Sequence, residues 1–303
     1  MRVRVRVPAT SANLGPGFDA LGLALALYNE VEARVAAETS VAIEGEGAGR
    51  LPTNEKNVIV RAMRVAYDAA GRVGEHWAVR CVNRIPSARG LGSSAAAWVG
   101  GLAAANALMG SPFDRAALLR LAARAEGHPD NVAAAVYGGL TVASGDGEAV
   151  LALSLPVPAD LVWIALVPEA TSATSEARAV LPASVPRGDA VFNVQRVALL
   201  LASLQTRRFD TLGIALDDRL HQPHRRKLFP WMPAVFEAAR GAGALGCVLS
   251  GAGPSLLAVA ENAAAADAVA RAMEKALGAA GIEGRARMLG VDRTGVDVTE
   301  PAG

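Results

Sequence analysis

The chain reads as an α+β protein built in two parts, and three observations carry that reading. Residues 2–7 alternate strictly between arginine and valine, the period of a strand with one buried face. A glycine-rich turn at Gly90 and Gly92 feeds an alanine-rich run over 95–109, which predicts a helix. From Leu161 onward the pattern runs strand, helices, strand, strand, helix, strand, as expected of a mixed or antiparallel sheet carrying helices.

Composition narrows the class. The 303 residues allow one large domain or two ordinary ones. Apolar residues make up 52 % but aromatics only 4 %, so alanine, valine and leucine must fill the core. A net charge of +1 gives no general attraction for nucleic acid or membrane. Cys81 and Cys247 are isolated and lack metal-site spacing, which suits a reduced, cytoplasmic interior. The opening Met-Arg-Val-Arg-Val-Arg-Val-Pro has no apolar signal core, and the longest apolar run, Ala20 to Tyr28, is far short of a membrane span. A cytoplasmic protein with a small-molecule partner is expected.

After the first strand, Pro8 to Asp19 holds two glycines and two prolines, so it is a shaped loop. Its Asn13 and Asp19 either bond their own backbone, as turn residues do, or offer an amide and a carboxylate to a polar small molecule. Residues 53–71 read as a loop and then a helix with Val58, Ala62, Val65 and Ala66 on one stripe, stopped by Gly71. A strand over 79–85 delivers the glycine turn. Ser111-Pro112-Phe113-Asp114 reads as a capped helix start, and the helix runs to about Arg124. Glu126-Gly-His-Pro-Asp-Asn131 follows. Its carboxylates and amide suit either a cation or the cap of the next helix, and composition favours the cap. Residues 140–143 make a strand.

Pro156 and Pro158 interrupt the pattern, so the boundary is placed there, giving parts of 1–155 and 156–303. Leu161 to Val167 is continuously apolar, a strand buried on both faces. Thr171 to Arg178 is a loop and helix start; 189–204 and 233–240 are helices. Gly246 to Ala260 is a strand, a glycine-rich turn and a second strand. Asn262 opens a helix to about Leu277, and 287–291 is the last strand.

The stretch Pro86-Ser-Ala-Arg-Gly-Leu-Gly-Ser-Ser-Ala-Ala-Ala97 carries the chemistry. A glycine turn feeding a helix start presents unpaired N–H groups and the positive end of a helix dipole, an anion site. It lacks the lysine of a Walker loop. Gly90, Gly92 and Ala95 fit the dinucleotide fingerprint superficially, but the acidic residue expected about 20 positions on falls at Gly110 or just beyond.

The longer form of this stretch resembles the phosphate loop of the GHMP kinases, which phosphorylate small metabolites. Pro8 to Asp19 resembles that family's first motif, and Leu249-Ser-Gly-Ala-Gly-Pro-Ser255 its third, in the same order. Glu126 to Asn131 and Thr174-Ser-Glu-Ala-Arg178-Ala-Val-Leu-Pro182 make the set look most like the family's homoserine-phosphorylating branch. The resemblance implies a two-domain α+β fold, with a ribosomal-protein-S5-like N-terminal domain and a ferredoxin-like C-terminal α/β plait. It implies ATP and Mg²⁺ as cofactors and L-homoserine as acceptor in threonine biosynthesis, and it leaves room for a homodimer.

Carried onto this sequence, the resemblance places ATP on Asn57 and on Pro86, Ser87, Ala88, Arg89, Gly90, Leu91, Gly92, Ser93, Ser94, Ala95 and Ala96. It places Mg²⁺ on Ser94 and Glu126, and homoserine on Asn13, Asp19, Asn131, Arg178, Arg225 and Gly251. The arginines would take the substrate carboxylate and Asp19 its ammonium. Ser94, Glu126, Arg178 and Asp130 are the candidate catalytic residues. Asp130 stands where mevalonate kinases carry an aspartate, although the homoserine branch is taken to work without a dedicated base. Where the family has Pro-Tyr-Arg, this chain has Pro223-His224-Arg225 followed by Arg226, so either arginine could reach substrate. His221 and His224 lack a third ligand for a metal. The competing assignments are a kinase for another small alcohol, of mevalonate type, and a non-catalytic nucleotide-binding relative. Intact Ser94 and Glu126 argue against the latter.

Overall fold

Alternation in the first residues becomes strand β1 (Arg2–Ala12), with Val3, Val5 and Val7 buried and the arginines outside. The computed structural model describes residues 1–145 and 149–299. β1 pairs antiparallel with the long strand β2 (Leu21–Ala36), and the register shifts between Pro8 and Ala9. The first sheet also includes β3 (Ser40–Gly45), β4 (His76–Asn83), β5 (Leu140–Ser144) and β6 (Leu151–Leu155), and a seventh strand near the C-terminus. One end of β2 pairs β5 and the other pairs β4, so β2 is the spine of the sheet.

Four helices belong to this half: α1 (Val58–Ala69), α2 (Ser93–Leu108), α3 (Arg115–Glu126) and α4 (Asp130–Tyr137). α2 is the alanine-rich helix, buried along most of its length. Close approach explains its small residues. A Cβ on Gly101 would sit 2.5 Å from the Ile59 carbonyl oxygen, and one on Gly100 would sit 3.1 Å from Val31. The shortage of aromatics is thus met by helices and sheet packing at short range.

The second half holds β7 (Val162–Pro168), α5 (Thr174–Ala179), α6 (Arg187–Thr206), α7 (Leu212–Ala215), α8 (Gln222–Arg225) and α9 (Met232–Gly241). It continues with β8 (Gly246–Leu249), β9 (Leu256–Ala260), α10 (Ala263–Ala279) and β10 (Gly284–Leu289). Its sheet has the order β10-β7-β9-β8, antiparallel throughout. Both faces of β7 and β9 are used. Trp163, Ala165, Val167, Leu257 and Val259 join the core of the first half. Ile164, Leu166, Leu256 and Ala258 pack with Val235 of α9 and Val269 and Met273 of α10. The continuous apolar run at 161–167 is therefore a strand buried on two sides, as its sequence predicts.

Three expectations are corrected. Pro8 to Ala12 continue β1 past a register shift, so the shaped loop begins only at Asn13. The last strand spans Gly284–Leu289 rather than 287–291, and the chain then returns as β11 (Asp297–Thr299) to pair with β1. The cap of α3 is Asp114, which accepts from Ala117 N, rather than Ser111. The strands β2, β3 and β6 have no counterpart in the sequence reading. Asn262 caps α10 as expected, accepting from Ala265 N.

Candidate active site

The glycine loop closes onto α2 through three left-handed residues, Ala88, Gly90 and Gly92. Its carbonyls from Ala88 to Leu91 are tied to other segments. Ala88 O accepts from Ser172 N at 3.0 Å, Arg89 O from Ser255 N at 3.2 Å and Leu91 O from Thr10 N at 3.1 Å. Gly90 O accepts from Ser250 Oγ at 2.6 Å. The backbone N–H groups of Gly90 to Ala95, by contrast, find no acceptor among the described residues. With carbonyls held outward and amides free at the start of a 16-residue helix, the loop is a cradle for an anion.

Beside the cradle, Ser94 Oγ donates to Glu126 Oε2 at 2.8 Å. Glu126 ends α3, which Gly127 closes in the left-handed conformation. A hydroxyl and a carboxylate suit a hard cation, which would take its other ligands from phosphate oxygens and water. Among the described residues no group of three or more His, Cys, Asp or Glu could hold a metal by itself, so a cation here would depend on a bound phosphate.

The two loop glycines are also required by packing. A Cβ on Gly92 would fall 1.9 Å from Thr10 Oγ1, and one on Gly90 would fall 2.3 Å from the Ser250 carbonyl oxygen. Thr10 Oγ1 itself donates to Asn131 Oδ1 at 2.7 Å. The loop is thus clamped between the first and third motifs.

One cleft gathers this loop with Asn13, Asp19, Glu126, His128, Asp130, Asn131, Arg178, Arg225 and Gly251. Arg178 grips Asp19 at two points, Nη1 to Oδ2 at 3.1 Å and Nη2 to Oδ1 at 2.7 Å. The Asp19 carboxylate, by its hydrogen bond above all, raises the pKa of that guanidinium. Asn13, nearly buried, donates to Gly251 O at 3.0 Å and accepts from Asp19 N at 3.0 Å. It braces two segments of the cleft. Arg225 is 2 % exposed and donates Nε to Ala177 O and Nη1 to Gly251 O. Burial, followed by the nearby Arg178 charge, lowers its pKa to about 10. Asp130 is buried and accepts from Asn131 N at 2.7 Å and, at 3.1 Å, bonds the His128 ring. That hydrogen bond raises the His128 pKa.

Residues 57–139 match the GHMP kinases N terminal domain, and residues 200–279 match the GHMP kinases C terminal. A homoserine kinase of Moorella thermoacetica is 48 % identical over 254 residues, 84 % of this chain and 86 % of that protein. The chain belongs to the GHMP kinase family. A homoserine kinase of Streptomyces coelicolor is 45 % identical over 98 % of this chain and 94 % of its own. The crystal structure of homoserine kinase from Cytophaga hutchinsonii superposes with a TM-score of 0.89 at 32 % identity, covering 98 % of this chain and 97 % of that one. A mevalonate diphosphate decarboxylase from Staphylococcus aureus, 18 % identical with a TM-score of 0.69 over 99 % of this chain and 98 % of its own, shares the fold. The two-domain α+β fold that the motifs implied is therefore the fold found.

This GHMP kinase does not bring every expected residue to the cleft. Asn57 is buried as the cap of α1, accepting from Ile59 N and donating to Pro52 O, and it does not line the cleft. Arg89 contributes backbone there, while its guanidinium bonds Pro168 O and Glu169. Arg226 is exposed and belongs to another surface, so Arg225 is the arginine that reaches the cleft. Sequence reasoning gave no role in the cleft to His128, Phe18 or His221. The position of His128 inside the Glu126–Asn131 motif and of Phe18 inside the Pro8–Asp19 motif could have flagged those two.

Proposed function

We propose that this chain transfers the γ-phosphoryl group of ATP to the hydroxyl of L-homoserine, giving O-phospho-L-homoserine for threonine biosynthesis. The observation that carries the proposal is the placement of Asp19, Arg178 and Arg225 around one cleft with the free-amide loop. One carboxylate and two guanidiniums match an acceptor that carries an ammonium and a carboxylate, beside a site for phosphates. The 40–48 % identity to homoserine kinases supports the same acceptor.

Phosphoryl transfer asks for positioning and for stabilisation of charge on the phosphoryl oxygens more than for covalent help. The amides of Gly90 to Ala95 supply fixed donors for that charge, and the α2 dipole adds to them. Pro86 to Arg89 form the outer wall of the nucleotide site, and Asn57 shapes its adenine side by fixing the start of α1. Ser94 and Glu126 would hold Mg²⁺, which supplies charge neutralisation on the phosphates when bound. Arg178 and Arg225 orient the acceptor by its carboxylate, with Asn13, Asn131 and Gly251 as the frame. Asp130 holds His128 and Asn131 in place; a loose transition state needs little of a dedicated base. Residues 1–155 thus hold the nucleotide, and 156–303 complete the acceptor site. A cytoplasmic setting suits an ATP-dependent enzyme with two free thiols.

Incubation with ATP, Mg²⁺ and L-homoserine tests the proposal by phosphorus NMR. ADP and a phosphomonoester of homoserine should appear in equal amounts. No homoserine-dependent ADP formation would contradict it.

A further inference from the structure

His221 lies just before the single turn of α8 and is completely buried. Its segment is anchored by Asp218, which accepts from the backbone N–H groups of Leu220, His221 and Gln222. The ring has two partners that settle its tautomer. Nε2 lies 2.8 Å from Gly15 O, an atom that can only accept, so Nε2 carries the proton. Nδ1 is therefore a lone pair, and it accepts from Arg225 Nη1 at 3.1 Å. Burial lowers the His221 pKa to about 4, which keeps the ring in this neutral form.

Phe18 stacks on the same ring, with centroids 5.3 Å apart and planes inclined by 23°. Arg225 and Arg178 both lie over Phe18, at 5.5 and 5.7 Å from its centroid. Arg225 Nε and Nη1 have protein acceptors, whereas Nη2 has none among the described residues, and Arg225 lines the cleft. A guanidinium is a rigid plane, so fixing Nε and Nη1 fixes the direction of Nη2.

We propose that His221 is a positioning residue for acceptor selection: it sets the guanidinium plane of Arg225 so that Nη2 meets the acceptor carboxylate, and it ties that arginine to the loop carrying Asn13 and Asp19. His221 acts in this way only if the chain phosphorylates homoserine as proposed above. A histidine that only stacked on Phe18 would be replaceable by a ring of similar shape. A positioning histidine needs its Nδ1 acceptor.

Steady-state kinetics of the full chain with L-homoserine and with 3-aminopropanol, its analogue lacking the carboxylate, test this. His221→Phe keeps the stacked ring and loses both polar atoms. Its KM for homoserine should rise about ten-fold, the usual effect of losing a hydrogen bond to a charged group. Its KM for ATP and its kcat/KM for 3-aminopropanol should stay at the parent values. His221→Asn, whose Oδ1 can take the place of Nδ1, should recover most of the homoserine affinity. An unchanged homoserine KM in a folded His221→Phe overturns the inference, as does a parallel loss with both acceptors and ATP. If His221→Phe does not fold, His221→Gln replaces it. Glutamine can still reach Gly15 O but offers no acceptor at Nδ1, so it should raise the homoserine KM where asparagine does not, and equal behaviour of the two overturns the inference. A parent enzyme with no homoserine turnover overturns the proposed function itself, and this inference with it.

Discussion

Arg178 and Asp19 form a two-point ion pair across the cleft, with each guanidinium nitrogen facing one carboxylate oxygen. Their side chains are 39 % and 35 % exposed, so the pair sits at the water boundary of the site. Each neutralises the other before an acceptor arrives. An acceptor with both an ammonium and a carboxylate can exchange partners with both members. An acceptor with one charge leaves the other member of the pair unmatched, which penalises simple alcohols.

Removing the cation should therefore separate two acceptors. Arg178→Leu is expected to cut kcat/KM for homoserine about ten- to a hundred-fold, the range for a charge-assisted hydrogen bond. With 3-aminopropanol the same variant should do no worse than the parent, because Asp19 is then free for the ammonium. Kinetics with both acceptors at saturating ATP check this. Equal losses on both would assign Arg178 to ATP or to the fold.

Glu126→Gln keeps the size of the side chain and removes the charge that faces Ser94 at 2.8 Å. Turnover should fall at least ten-fold at ordinary Mg²⁺, since a neutral amide is a poor ligand for a hard cation. The melting temperature should hardly move, because Glu126 is only half-buried. Activity at the parent level across a Mg²⁺ titration would remove Glu126 from the metal site.

Gly92→Ala combines a left-handed backbone with a Cβ 1.9 Å from Thr10 Oγ1. The backbone alone costs ~1–2 kcal/mol for a residue with a side chain. Thermal melting should thus fall by several degrees, along with ATP affinity. Adding Thr10→Ala should restore part of the stability. A loss of ATP affinity at unchanged melting temperature would mean that only the ligand needs the glycine.

His128 gives a pH signature in stability. Asp130 raises its pKa by accepting its hydrogen bond, so the folded state favours the protonated ring. The sign follows from linkage. The contribution is fully present below the unfolded value of about 6.5, and it fades as pH climbs through the higher folded value. The melting-temperature gap between the parent and His128→Gln should be widest near pH 5.5 and smallest near pH 8.5, both approximate. A gap that grows with pH would contradict the pairing.

Much of this was legible in the chain. The three loop motifs, the alanine-rich α2, the doubly buried β7 and the Asn262 cap all follow from local pattern. The strand β2 did not, because its first residues are buried on both faces and only its later part alternates. β11 is three residues long and gains its place by pairing with β1, a contact nearly 300 residues away in sequence. Within the site, the motifs singled out Arg178 and Asp19 but not their mutual pairing, which depends on α5 meeting the first loop. The i, i+3 spacing of His221 and His224 suggests a metal pair, whereas the partner of His221 is Arg225 at i, i+4. Asn57 shows the converse: the resemblance implies a nucleotide contact, and the structure shows its amide as the cap of α1.

The central claim is that this cleft selects an amino-acid alcohol for phosphorylation by ATP. The most direct measurement is kcat/KM across L-homoserine, 3-aminopropanol, L-threonine, mevalonate and galactose in one ATP-coupled assay. Homoserine should lead 3-aminopropanol by about ten-fold or more, from the hydrogen bonds to its carboxylate, and mevalonate and galactose should give no turnover above background. Preference for mevalonate or galactose, or equal rates with homoserine and 3-aminopropanol, would contradict it.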